Sequence, residues 1–156
     1  MNSLDKKSYL DLARATGAFK EIELVALREV LDEHAQGPDA GYVVFEEKAK
    51  GKLVAFAIIG ETPLTQYGWD IYWLVVGADF QGRGLGRALI KKMEDFAARK
   101  CGQAILRVET SGHVLYDRAR RFYQAAGFHQ AGRIADFYSP GDDLVIFSKT
   151  ITIKTK

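Results

Sequence analysis

Apolar residues recur along the chain with two periods, and the places where one gives way to the other delimit its elements. Helical spacing marks residues 8–16 and 21–35, the second carrying Ile22, Leu24, Leu27 and Leu31 before Gly37-Pro38 stops it. Residues 41–47 and 52–59 then alternate or run apolar about Lys48-Ala49-Lys50-Gly51, which predicts a hairpin. The run Ile71-Tyr72-Trp73-Leu74-Val75-Val76 predicts a strand. Leu85, Leu89, Ile90, Met93 and Phe96 return to helical spacing, and Gly102 is placed to end that helix after Arg99 and Lys100. A strand at 104–109, a helix from about 116 to 126, and strands near 130–137 and 144–153 complete the pattern. This order predicts an α/β chain with a mixed sheet. With no linker, repeat or low-complexity segment in it, the pattern reads as one domain over residues 1–156.

Between the strand at 71–76 and the next helix stands Gln81-Gly82-Arg83-Gly84-Leu85-Gly86-Arg87. Its glycines let the backbone approach a ligand closely, and the unpaired N–H groups of a helix's first turn point at whatever lies there. An anionic phosphate suits that place best. A mononucleotide P-loop needs Lys-Ser or Lys-Thr after its last glycine, whereas Arg87-Ala88 follows Gly86. A dinucleotide fingerprint sets its third glycine three residues beyond the second, a spacing that Gly82-x-Gly84-x-Gly86 lacks. The plain alternative is a loop that is merely glycine-rich.

Composition narrows the classes. With 156 residues, 47% of them apolar, the chain can bury a full core. No run approaches the ~20 apolar residues that span a bilayer, and no apolar leader follows Met1. The lone Cys101 excludes an internal disulfide and suits a reducing cytoplasm. Beside Gly102, with no histidine near it in sequence, it reads as a packing residue. A net charge of +2 gives no argument for nucleic acid. His34, His113 and His129 are too scattered for a metal site.

The remaining pattern, Gln81-x-x-Gly84-x-Gly86, resembles the pyrophosphate-binding motif of the GNAT family of N-acetyltransferases. Ala119-Arg120-Arg121-Phe122-Tyr123-Gln124-Ala125-Ala126-Gly127-Phe128 resembles that family's second signature, a helix with Phe-Tyr on one face closed by Gly-Phe. Together the motifs and element order carry the resemblance over residues 21–150. It implies the GNAT fold, a mixed central sheet with splayed central strands flanked by helices. The family's first edge strand is missing here, since nothing upstream of Tyr9 reads as one.

The resemblance also implies acetyl-CoA as cosubstrate. Gln81, Gly82, Arg83, Gly84, Leu85, Gly86 and Arg87 would hold its pyrophosphate. Its pantetheine arm would enter between the strands at 71–76 and 104–109, in the manner of β-augmentation on the backbone of Leu74, Val75 and Val76. A bulge near Val75 to Gly77 would create the splay; an ordinary continuous parallel pair is the alternative. Ala119 and Tyr116 fall on the cofactor side of the second signature, Tyr116 standing where the family often has Asn. Arg118, Arg120 and Arg121 either meet the cofactor's 3′-phosphate or form a solvated helix face, the simpler reading.

Acetyl transfer to an amine needs a neutral amine, a partner for the developing oxyanion and a proton for the leaving thiolate. By resemblance Tyr123 is the acid, and a backbone N–H near Val76 meets the oxyanion. The alternative for Tyr123 is an aromatic stacked in the core. Two carboxylates compete as base. Asp70 lies eleven residues before Gln81, the position of the catalytic glutamate in the histone-acetylating branch. Glu109 ends the next strand, where ribosomal-protein N-terminal acetyltransferases carry a glutamate working through water. Either carboxylate could equally cap a loop or pair with Arg107 or Lys52. Two aromatic segments, Thr62 to Trp69 and Asp136 to Asp143, wall the acceptor pocket or are simply turns.

These readings predict an acetyl-CoA-dependent N-acetyltransferase acting on a primary amine by direct attack in a ternary complex. A small-molecule amine comes first, with a protein α-amine or lysine next and a non-catalytic acyl-CoA-binding module as the other class. An uncovered edge at 41–47 predicts a homodimer.

Overall fold

The computed structural model describes residues 3–153. Its elements run α1 (Ser3–Ala15), α2 (Glu21–His34), β1 (Tyr42–Ala49), β2 (Lys52–Glu61), β3 (Gly68–Val76), α3 (Leu85–Cys101), β4 (Gln103–Ser111), α4 (Asp117–Ala125), β5 (His129–Ser139) and β6 (Asp142–Thr152). The six strands form one mixed sheet in the order β1-β2-β3-β4-β6-β5. Strand β1 is an edge of this sheet. Two compact units share this sheet, with β3 and α3 each divided between them.

Of the described residues, the first unit comprises 3–61 and 72–93. In α2, Glu21 and Glu23 stand in the positive first turn, and Glu23 reaches back to accept from the Lys20 N–H at 2.7 Å. Tyr9, Leu10 and Ala13 of α1 meet Leu24, Leu27 and Leu31 of α2 over Phe56, Ile58 and Val75. These i, i+3 and i, i+4 spacings give each helix one buried stripe. Every residue from Val54 to Gly60 is buried, so β2 is covered on both faces. Lys50 (φ 50°) and Gly51 (φ 77°) turn the chain between β1 and β2, both left-handed as a two-residue hairpin demands.

Of the described residues, the second unit comprises 62–71 and 94–153. Ala104, Leu106 and Val108 of β4 are buried, while Ile105 and Glu109 on the other face are exposed. Strand β4 pairs antiparallel with β6 from Gln103↔Thr152 to Ser111↔Leu144. Its parallel ladder with β3 joins Gly68↔Ile105, Trp69↔Leu106 and Asp70↔Arg107, and both strands run on beyond it.

Boundaries differ from the sequence reading where polar residues sit inside elements. Helix α1 starts at Ser3, five residues before the predicted start at 8, because the charged run Asp5-Lys6-Lys7 interrupts the apolar period. Strand β3 starts at Gly68 and β4 continues to Ser111, so Asp70 and Glu109 lie within strands rather than at their ends. Trp69 is likewise no pocket wall; only 1% exposed, its ring meets Phe96 edge-on at 5.7 Å. Phe137 and Tyr138 do stand exposed, within β5 rather than in a loop.

Candidate active site

The glycine segment lies wholly in the first unit. Gly77 donates to Val54 O at 2.8 Å, and a single 3₁₀ turn, Ala78–Phe80, leads to extended Gln81. The Gln81 side chain folds back, Nε2 donating to Val76 O at 3.1 Å, and so ties the loop to the strand it leaves. Gly82 (φ 76°) and Gly84 (φ 83°) are left-handed, and a Cβ built on either would enter open space. Both need glycine for their backbone, and neither needs it to avoid a protein neighbour.

The first α3 bond runs from Ala88 N to Gly84 O, so the N–H groups of Leu85, Gly86 and Arg87 have no partner within the helix. No acidic residue stands in this first turn, and the 17-residue helix aims its positive end outward. Gly86 is not left-handed; it is an ordinary second residue of α3. Arg83 lies over the Phe80 ring at 5.2 Å, which leaves its charge at the mouth of the loop. A cradle of this kind fits a pyrophosphate. Of the adjoining strand residues, Val75 is in the core and Leu74 and Val76 are half-buried.

Tyr123, Asp70, Glu109, Tyr116 and Ala119 belong to the second unit. Helix α4 closes in a Schellman motif: Phe128 N bonds Tyr123 O at 2.9 Å, Gly127 N bonds Gln124 O at 3.1 Å, and Gly127 is left-handed at φ 92°. The motif sets Tyr123 and Phe128 against each other, their rings 5.6 Å apart. This explains the Gly-Phe of the second signature as helix-ending chemistry. Phe122 and Phe147 complete the enclosure at 5.4 and 6.1 Å, and Tyr123 is 8% exposed. Burial alone pushes its phenol above the usual range, so the hydroxyl keeps its proton.

The two carboxylates differ. Asp70 accepts from Arg107 Nε at 2.6 Å, its side chain 15% exposed and that of Arg107 43%. This is the ion pair that the sequence reading held open as the alternative to a base. Glu109, two residues along the same strand face, is exposed, and among the described residues no ion pair holds it. Thr62, Thr65, Gln66, Tyr67, Ile105 and Arg107 line a groove of about 320 Å³ at this face.

Tyr116 forms the last residue of a 3₁₀ turn, Val114–Tyr116, and the N-cap of α4, with Ala119 half-buried one turn on. Arg121 is exposed, its side chain at 78%, and pairs with Asp117 at 2.8 Å. Arg120 corrects the expectation of a solvated face. Its side chain is 17% exposed and donates to Ser111 O at 2.6 Å and His113 O at 2.9 Å. Its spacing within an arginine-rich run looks like solvation, and only the fold shows which carbonyls it reaches. Among the described residues no cluster of three or more His, Cys, Asp or Glu could hold a metal ion, and no helix is long and apolar enough to cross a membrane.

The sequence profile of the acetyltransferase (GNAT) family matches residues 8–128. The N-alpha-acetyltransferase RimI of Mycobacterium tuberculosis is 33% identical over 94 residues, 58% of this chain and 54% of that protein. The chain spans about half the length of the curated relatives it matches. A solved GNAT-family structure from Desulfovibrio desulfuricans is 32% identical, with a TM-score of 0.89 over 95% of this chain and 93% of its own. An aminoglycoside 6′-N-acetyltransferase solved with coenzyme A shares the fold at 17% identity, TM-score 0.77, over 99% and 95% of the two chains. Profile, relatives and fold agree with the cradle and the closed Phe-Tyr helix: the chain belongs to the acetyltransferase (GNAT) family.

Proposed function

We propose that the chain is a single-domain, acetyl-CoA-dependent N-acetyltransferase that acetylates a primary amine by direct attack within a ternary complex. The observation that carries this reading is the cradle, with Gly82 and Gly84 left-handed before open space at the N-terminus of the 17-residue α3. Acetyl-CoA supplies the activated acetyl group. Gln81 to Arg87 bind its pyrophosphate, and the strand backbone of Leu74 to Val76 takes its amide-bearing arm. Tyr116 and Ala119 line the cofactor side of α4. Tyr123 holds its proton on the phenolic oxygen and offers it as a hydrogen bond to the leaving sulfur. Glu109 receives the amine's proton through water, because Asp70 is committed to Arg107.

A small-molecule amine fits the groove beside Arg107, whose volume lies at the low end for ligand pockets. The relative named N-alpha-acetyltransferase favours a second reading, a protein α-amine. Thiol release from acetyl-CoA, measured with a panel of small amines and of peptides with free N-termini, decides between them. Cofactor binding without thiol release on any amine would mean a binding module instead of an enzyme. The lone cysteine supports a cytoplasmic setting. The edge position of β1 supports a homodimer, which light scattering at micromolar concentration tests.

A further inference from the structure

Helix α4 has nine residues, and its two ends are held differently. The C-terminal end carries the Schellman motif, and Lys149 Nζ donates to Ala126 O at 2.8 Å. At the N-terminal end Tyr116 supplies no side-chain cap. Arg120 stands there instead. One of its terminal nitrogens, Nη1, carries two hydrogens and places them on two carbonyls, Ser111 O at 2.6 Å and His113 O at 2.9 Å. The other, Nη2, reaches Asp117 Oδ1 at 3.3 Å.

The loop that Arg120 grips has a fixed shape of its own. Ser111 is 7% exposed, its hydroxyl donating to Asp142 and accepting from His113 N at 2.9 Å. Gly112 N donates to Asp143 O at 2.8 Å, and Tyr116 N to His113 O at 2.9 Å. What Arg120 adds is the link between that loop, at the end of the strand carrying Glu109, and the helix carrying Tyr123. Arg120 and Tyr123 are three residues apart and share one side of α4.

We propose that Arg120 is a positioning residue that fixes helix α4, and with it the Tyr123 hydroxyl, against the end of β4. The proposal rests on the reading of Tyr123 as the proton donor. Misplacing a reacting group by about 1 Å costs on the order of 100-fold in rate. Arg120→Gln should therefore lower kcat by about 10- to 100-fold and by no more than Tyr123→Phe does, and Arg120→Lys, whose ammonium still reaches a carbonyl but lacks the planar fork, by less than Arg120→Gln. The KM for acetyl-CoA should change less than kcat in both, since of the cofactor contacts only Ala119 and the N-cap Tyr116 belong to α4 and the pyrophosphate cradle is built elsewhere in the chain.

A double-mutant cycle with Tyr123→Phe separates positioning from general damage. Once the hydroxyl is gone there is nothing left to misplace, so either Arg120 substitution should lower kcat by less than about threefold further. Should Arg120→Gln fail to fold, Arg120→Lys with its cycle carries the test alone. Wild-type kcat in a folded Arg120 variant, or losses that multiply fully with that of Tyr123→Phe, overturns the proposal. Wild-type kcat in Tyr123→Phe overturns the donor reading beneath it, an outcome visible in that variant by itself.

Discussion

Tyr123→Phe removes one oxygen and leaves the ring among Phe122, Phe128 and Phe147. A free phenol ionises near 10 and a thiol near 8.5, so handing the proton over completely is uphill by ~1.5 units, or ~2 kcal/mol. Burial raises the Tyr123 phenol further and widens that gap. In the proposed mechanism the hydroxyl therefore stabilises the departing sulfur as a donor without becoming phenolate. A hydrogen bond from a sheltered neutral donor to a charged acceptor contributes ~1.5–3 kcal/mol. The expected fall in kcat is then about 10- to 150-fold, with acetyl-CoA affinity unchanged and stability within ~1.5 kcal/mol of the parent.

The assay is thiol release at saturating acetyl-CoA from pH 6 to 10. In the parent, Tyr123 should cause no loss of activity on the alkaline side of that range, because the raised pKa keeps it protonated throughout. The linkage runs the same way: the unfolded chain's tyrosine ionises near 10 and the folded one only above it, so this contribution to stability is intact below pH ~10 and lost above it. Wild-type kcat in Tyr123→Phe across the whole range refutes the donor role and leaves the ring as core.

Four further outcomes follow from the same structure. Glu109→Gln should lose activity that high pH partly restores, as neutral amine becomes abundant without a base, whereas the loss in Asp70→Asn should stay flat with pH because it breaks the pair with Arg107; matched pH–kcat profiles check both. Gly84→Val should abolish acetyl-CoA binding in calorimetry and cost ~1–2 kcal/mol of backbone strain at φ 83°, while Gly86→Ala should weaken binding yet stabilise the helix by ~0.5–1 kcal/mol in thermal melts. Gly127→Ala should destabilise by ~1–2 kcal/mol, since its φ of 92° is left-handed and a Cβ would meet Lys149 Cε at 3.1 Å; thermal unfolding measures it. The Asp136 N–H and Arg133 hold the Asp143 carboxyl below its usual range, so their contribution should be present above pH ~4 and lost as pH falls through the depressed value, read by amide exchange at Asp136.

The chemistry that could be read in the sequence is local along the chain, and the chemistry that could not is local only in space. Gly84 and the helix it opens stand within a few residues of each other, so spacing alone carried the cradle. Gly127 and Phe128 end α4 by bonds to Gln124 and Tyr123, again within one turn. Asp70 and Arg107 are 37 positions apart, and only the parallel register sets them opposite one another. The sequence offered Arg107 and Lys52 equally as partners, and the register of one short ladder decides between them. Arg120 is the converse case. Its targets lie only seven and nine residues upstream, yet a periodic reading counts the residues of a helix and ignores what the loop before it does with its carbonyls. Solvation is the default for an arginine on a short polar helix; a half-buried guanidinium overturns that default wherever a preceding loop leaves two carbonyls within reach of one nitrogen. A sequence reading could look for this directly, as an arginine in the first turn of a helix that follows a strand through a glycine-containing loop with no N-cap side chain.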